Sequence, residues 1–518
     1  MSILDYQTYQ EASKKFRWSQ VWETFEGTRK NFNIAHECID RHVGKGTAVR
    51  IKFEDGHSEQ YSFDDISRRS SKCANALKRM GIQKGERVVV MLDPSLDFYT
   101  VLFGTLKCGA IAVPFYPQFG PEAIEFRLKD CTPRLVVTSE AKLPLFDRSL
   151  VERCILVGPE FEGLIRDEAE RYQGKNETCG DDDAVFQYTS GTTRKFPEVI
   201  RHFHKSVPVL IPAAVFAVGL RPGDRYFCPS PTAWGHGLWY GTMAPLSLGI
   251  AVGALSGRFN EKILLEALQE FEINNLSAAP TVYRRIKNSG LADQFKLKLN
   301  KMSYSMEPMD TDTFEFLKKK FGVPPCSFYG STEVGVIVLN YNVYKDYEVK
   351  PGSLGKPMLG LDVGIIDEND NKLPPGKLGE IAVKRKDGWF RVKDAGVCDE
   401  DGYFWHKGRS DDVIISAGWT ISSSEVEDAL HKHPAVEEAV VVGAPDSDRG
   451  LIVKAYLKVS QPQSEGLKKE IQEFVKQRLS KHEYPRAIEF VNEIPKTDAG
   501  KINRRAVKKW AGVLTENQ

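Results

Sequence analysis

The stretch YTSGTT at 188–193 gathers hydroxyl-bearing residues around a glycine, directly after the apolar, strand-like DAVFQY. Backbone N–H and side-chain O–H groups in such a turn can converge on phosphate oxygens. Thr189, Ser190, Gly191, Thr192 and Thr193 are therefore candidates for a polyphosphate cradle, with an ordinary Ser/Thr-rich turn as the competing reading. A Walker-type loop is excluded because GxxxxGK[ST] is absent, and no dinucleotide glycine fingerprint stands between a strand and a helix. Nine cysteines are scattered without a CxxC pair, several in apolar runs such as LKCGA, and read as reduced core residues rather than metal ligands or disulfides. The basic run Lys501, Arg504, Arg505, Lys508 and Lys509, taken alone, reads as a solvated helix end.

Positioning these groups requires a framework, and the hydrophobic pattern supplies one. From about residue 85, short apolar runs (RVVVML, AIAVPF, RLVVTS) alternate with helical patterns, and the alternation resumes after the hydroxyl-rich loop up to about residue 330. That is βαβ logic and predicts two similar α/β halves. One long helix is expected through WGHGLWYGTMAPLSL at 234–248. Beyond 350 the texture becomes turn-rich with β alternation, predicting a smaller antiparallel subdomain. After GRSDD a shorter α+β pattern begins. The fold class expected is α/β: an N-terminal domain of two α/β halves plus a β-rich subdomain over 1–410, and a small mobile α+β domain over 411–518.

The 518 residues carry 71 basic and 70 acidic side chains, a net charge of +1, so no global field gathers nucleic acid or an anionic membrane. The start, MSILDYQTYQEASKKF, shows neither an export-signal pattern nor an arginine-rich amphipathic one. A cytoplasmic location without membrane or nucleic-acid partners is expected, as a monomer or a homodimer.

Further segments follow in order: LKCGAIAVPFYP at 106–117, SFYGSTEVG at 327–335, PGSLGKP at 351–357, DGYFWHKGRSDDVIISAG at 401–418 and PKTDAGKINR at 495–504. Together they resemble the AMP-forming acyl-CoA synthetases of the adenylate-forming superfamily, over nearly the whole chain. The resemblance implies ATP, with Mg2+, and CoA as reactants, and assigns residues one by one. Tyr329 takes the place of an aromatic residue lying against adenine, within the segment Tyr329, Gly330 and Ser331, and Glu307 and Pro308 that of an adenine-lining pair. Thr332 matches a phosphate contact, and Glu333 the carboxylate that helps hold Mg2+. Asp394 matches the acceptor of both ribose hydroxyls, Arg409 an arginine beside the ribose, and Asp411 the hinge. Lys501 matches the lysine reaching the carboxylate and the α-phosphate, where a cation offsets repulsion between two anions.

The acid pocket is implied to include Trp234, Gly235, His236 and Gly330. Acetate-specific relatives carry a tryptophan where Gly330 stands, so a medium-chain, branched, alicyclic or aromatic acid is expected rather than acetate. Two other outcomes of the resemblance are an enzyme loading a carrier protein and a nucleotide-binding regulatory protein that no longer turns over.

The sequence also departs from the family pattern. Arg194 replaces a glycine in the phosphate loop and Glu198 stands near an expected lysine, leaving Arg194 or Lys195 to supply the charge. Met306 replaces the glycine before Glu307, Lys393 the glycine before Asp394, and Thr420 an arginine.

Overall fold

The structure is a computed structural model describing residues 2–174, 178–188, 199–307, 309–331, 334–341, 343–409, 412, 414–416, 419–446, 450–479, 484–497 and 502–513. Two compact units divide the chain, the first made of Met1–Tyr188 and Val199–Gly360, the second beginning at Leu361.

The first unit contains the two α/β halves. Among the described residues, one sheet of six strands runs Cys154–Leu156, Leu135–Thr138, Arg87–Met91, Ile111–Pro114, Asp183–Tyr188 and Val199–Phe203. Its pairings are parallel except at the last strand, which folds back antiparallel. The runs that read as continuously apolar are buried along nearly their whole length, as strands covered on both faces must be. Helix Phe63–Arg79 opens with a reciprocal capping box between Ser62 and Asp65, and Ser95 caps helix Leu96–Lys107.

The second sheet has nine described strands, in the order Lys356–Pro357, Gly335–Leu339, Cys326–Ser331, Lys301–Tyr304, Asn275–Ser277, Tyr226–Phe227, Val252–Ser256, Thr47–Phe53 and Ser58–Ser62. The last two come from ahead of the alternating region, and Thr47–Phe53 pairs in parallel with Val252–Ser256. The helix expected through 234–248 is not uniform. Residues His236–Met243 form a π-helix, and Ala244–Ser247 continue as α-helix. Gly237 permits the wide turn: a Cβ there would lie 2.2 Å from the carbonyl oxygen of Pro231 and 2.4 Å from that of Ser230.

The second unit begins with the expected antiparallel sheet, of strands Val363–Ile366, Gly379–Arg385, Gly388–Cys398 and Phe404–Arg409. A second sheet follows, built on the long hairpin Val436–Asp446 and Gly450–Val459. Helices Ser423–His431 and Glu465–Arg478 bury Val426, Leu430, Ile471 and Val475 in one cluster with its strands. The boundary read at 410/411 falls within this unit, and Asp411 lies outside the described residues. Two contacts span that position: Lys407 pairs with Glu425, and Ser422 Oγ donates to the Lys407 carbonyl at 2.6 Å.

Candidate active site

In parallel sheets, ligands gather at the carboxyl ends of the strands. In the first unit that end of the second sheet collects several predicted residues. Tyr329, Gly330 and Ser331 close strand Cys326–Ser331, and Glu307 follows its parallel neighbour Lys301–Tyr304. Ser331 Oγ is buried with no hydrogen-bond partner among the described residues. A buried orphan hydroxyl is costly unless a ligand completes it, so the spot suits a polar group. Glu307 is already engaged: its carboxylate accepts the Thr281 amide at 2.7 Å and the Thr281 hydroxyl. It thereby caps helix Pro280–Ser289, whose own cap residue Ala279 offers no side-chain acceptor.

His236 is buried behind this edge. Its Nδ1 lies 3.0 Å from Ser230 Oγ and its Nε2 2.9 Å from Ser277 Oγ, while Ser303 Oγ donates to Ser277 Oγ at 2.9 Å. With Ser303 donating to Ser277, the contacts are satisfied on a neutral imidazole when one ring nitrogen accepts from its serine and the other donates to its own. Burial pushes the His236 pKa down to about 4, in agreement. The ring also meets Phe328 edge-on, with centroids 5.5 Å apart. Contacts on three sides hold the His236 ring in place.

Trp234 lies tilted against Tyr116 and edge-on to Phe119, at 5.6 and 6.1 Å between centroids, and packs on the core of the six-stranded sheet. Gly235 beside it is exposed. At Gly330 the reason for a small residue is local: a Cβ would sit 1.8 Å from the carbonyl oxygen of Gly335 and 2.7 Å from Val336 Cα, across a bulged hairpin. Any side chain there displaces backbone, whatever acid is bound.

Within the second unit, Asp394 and Arg409 are direct cross-strand partners. His406 Nε2 stands 3.9 Å from the Asp394 carboxylate, which is 14% exposed. The strand is bulged on both sides of Asp394. The bulge holds Lys393 at φ +62°, while its amide donates to Glu380 Oε1 at 2.9 Å. Met306, before Glu307, has φ +80° and is 44% exposed. Of the three positions where the sequence departs from glycine, the two within the described residues thus keep the left-handed backbone that glycine adopts most readily.

The AMP-binding enzyme family profile matches residues 39–391, and the AMP-binding enzyme C-terminal domain matches residues 425–501. This chain belongs to the AMP-binding enzyme family. Its relatives place it among the acyl-CoA synthetases. Acetyl-coenzyme A synthetase of Bacillus subtilis (strain 168) is 30% identical, over 97% of this chain and 95% of the relative. Acyl-coenzyme A synthetase ACSM4, mitochondrial, of Homo sapiens is 34% identical over 93% and 91%. Among solved structures, the anthranilate CoA ligase AuaEII in complex with anthranoyl-AMP superposes with a TM-score of 0.84 at 27% identity, covering 96% of this chain and 99% of that one.

For this AMP-binding enzyme, several assigned residues lie outside the described ones: Thr189, Ser190, Gly191, Thr192, Thr193, Arg194, Lys195, Glu198, Pro308, Thr332, Glu333, Asp411 and Lys501. The side chains of Arg409 and Thr420 do too. The sequence reading missed Ser230, Ser277, Ser303 and Thr281. Their only signal was small polar residues inside apolar runs, as in NLSAAP and KMSYS. No described helix is long and apolar enough to cross a membrane.

Proposed function

We propose that this acyl-CoA synthetase converts a carboxylic acid with a medium-chain or ring-bearing acyl group to its CoA thioester in two half-reactions. A carboxylate oxygen attacks the α-phosphorus of ATP and expels pyrophosphate. The CoA thiolate then attacks the acyl carbon of the adenylate, and AMP leaves with the attacking carboxylate oxygen. No protein side chain becomes covalently attached, because CoA supplies the nucleophile.

The observation that carries the reading is the cluster at the carboxyl ends of the second sheet. Tyr329, the unpartnered Ser331 hydroxyl and the clamped His236 stand together there, in a chain whose family forms adenylates. Asp394, opposite Arg409 and nearly buried, suits an acceptor for two ribose hydroxyls. Glu333 would hold Mg2+ on the polyphosphate, where the metal neutralises charge and orients the phosphates. Lys501 offsets the charge that develops as the two anions meet. Residues 411–518 act as a lid turning about Asp411 between the half-reactions, and the Lys407–Glu425 and Ser422–Lys407 contacts are remade at each turn. The aromatic surface of Trp234, Tyr116 and Phe119 beside exposed Gly235 supports a bulky acyl group over acetate.

The test is AMP and pyrophosphate release from MgATP across acetate, butyrate, hexanoate, cyclohexanecarboxylate and benzoate, with and without CoA. CoA-dependent AMP release with hexanoate or a ring acid, at a higher kcat/KM than with acetate, is expected. Preference for acetate would refute the pocket reading, and ATP binding without turnover of any acid would refute the ligase.

A further inference from the structure

Of the basic residues after Lys501, Arg504 and Lys508 turn inward, while Lys509 is exposed. Helix Arg504–Trp510 opens on Asn503, whose side chain accepts the Ala506 amide, and Val507 is buried. Arg504 donates through Nη2 to both oxygens of Glu427, at 2.8 and 2.6 Å, and through Nη1 to the Val441 carbonyl at 3.1 Å. Glu427 also accepts the Val441 amide at 2.7 Å. Lys508 Nζ lies 2.5 Å from Asp412 Oδ1, and Arg504 Nε lies 3.4 Å from Asp412 Oδ2. The carboxylates of Asp412 and Glu427 are 7% and 11% exposed.

Two nearly buried carboxylates are therefore packed against two partly buried cations. Such a cluster adds little net stability but fixes relative position, because any displacement leaves a buried charge uncompensated. Its members come from informative places in the chain. Asp412 directly follows the proposed hinge residue. Arg504 stands three positions after Lys501, whose segment is closed by a backbone bridge between Lys496 and Ile502. Ile502 packs against the cluster of Val440, Val442, Tyr456, Ile494 and Val507.

We propose that Asp412, Glu427, Arg504 and Lys508 are positioning residues that lock the Lys501 segment to the first residue beyond the hinge, so that rotation at the hinge is delivered to Lys501 without slack. This rests on the reading of Lys501 as the adenylation lysine. None of the four need touch the reactants; they act through Lys501.

The test measures each half-reaction separately in the full-length enzyme: ATP–pyrophosphate exchange with acid and no CoA, and conversion of pre-made acyl-adenylate to acyl-CoA. For D412N the exchange kcat should fall by about tenfold to a hundredfold with the KM for ATP unchanged, the size of loss expected from a misplaced catalytic group. The thioester step should stay within about twofold, and D412E, which keeps a carboxylate for both Arg504 and Lys508, should retain more exchange than D412N. If D412N fails to fold, D412N/K508M leaves no unpaired charge at that contact and should show the same split. Unchanged exchange, or equal loss in both half-reactions, overturns the proposal. K501A run alongside separates this from the reading beneath it. Equal loss in both half-reactions of K501A refutes the Lys501 assignment, whereas loss of exchange in K501A but not in D412N refutes the cluster's part alone.

Discussion

At the residue scale, five described non-glycine residues occupy positive-φ backbone that suits glycine, and two of them stand beside the proposed nucleotide contacts. Met306 at φ +80° and Lys393 at φ +62° each flank a residue assigned to the nucleotide, Glu307 and Asp394. Holding a non-glycine residue there costs about 1 kcal/mol or more, and the surrounding structure must impose it. M306G and K393G relieve that strain, although glycine also gives the unfolded chain more freedom. The balance predicts a small gain in stability for each, up to about 1 kcal/mol, measurable as a higher urea midpoint; a loss above that size would show that the side chains, not the backbone, matter there. The substitutions were visible in the sequence as missing glycines, but their backbone angles were not, because a missing glycine is compatible with either a changed turn or a strained one.

At the element scale, the π-helix His236–Met243 determines how the proposed acid side of the site is built. Its extra width brings His236 between Ser230 and Ser277 and depends on Gly237 passing within contact of two carbonyl oxygens. G237A introduces a methyl group where backbone already stands, so a destabilisation of about 1–3 kcal/mol is expected, together with reduced turnover of every acid, read by denaturation and by AMP release. Wild-type stability in G237A would contradict the tight packing. The βαβ alternation, the antiparallel subdomain and the order of the later α+β elements were legible because hydrophobic period reports burial directly. The π-helix was not, since a run apolar on all sides, as in GLWYGTMAPLSL, carries no period to distinguish helix types. Nor was the recruitment of Thr47–Phe53 to the second sheet, because local pattern identifies a strand but not its partner. Asp394 and Arg409 could be chosen by motif; that they face one another across a strand pair depends on the register.

At the scale of the whole molecule, buried neutral histidines tie stability to pH. Burial pushes His204 and His236 to about 4, below the ordinary value of 6.5. Both stay neutral in the folded protein while the unfolded chain takes up their protons. The stability they contribute is therefore complete above pH 6.5 and is lost as pH falls toward 4. The two together give a slope approaching 3 kcal/mol per pH unit within that window. Urea denaturation at pH 7.5, 6 and 5 should show a falling midpoint, and a midpoint that rises on acidification would contradict the assignment of neutral, buried rings.

A carboxylate oxygen that attacks the α-phosphorus forms a bond that leaves an isotopic trace. With the most active acid of the panel labelled with 18O in both carboxyl oxygens, and with MgATP and CoA, one labelled oxygen should appear in the phosphate of AMP and the other in the thioester carbonyl. Unlabelled AMP, or ADP in its place, would contradict an acyl-adenylate route.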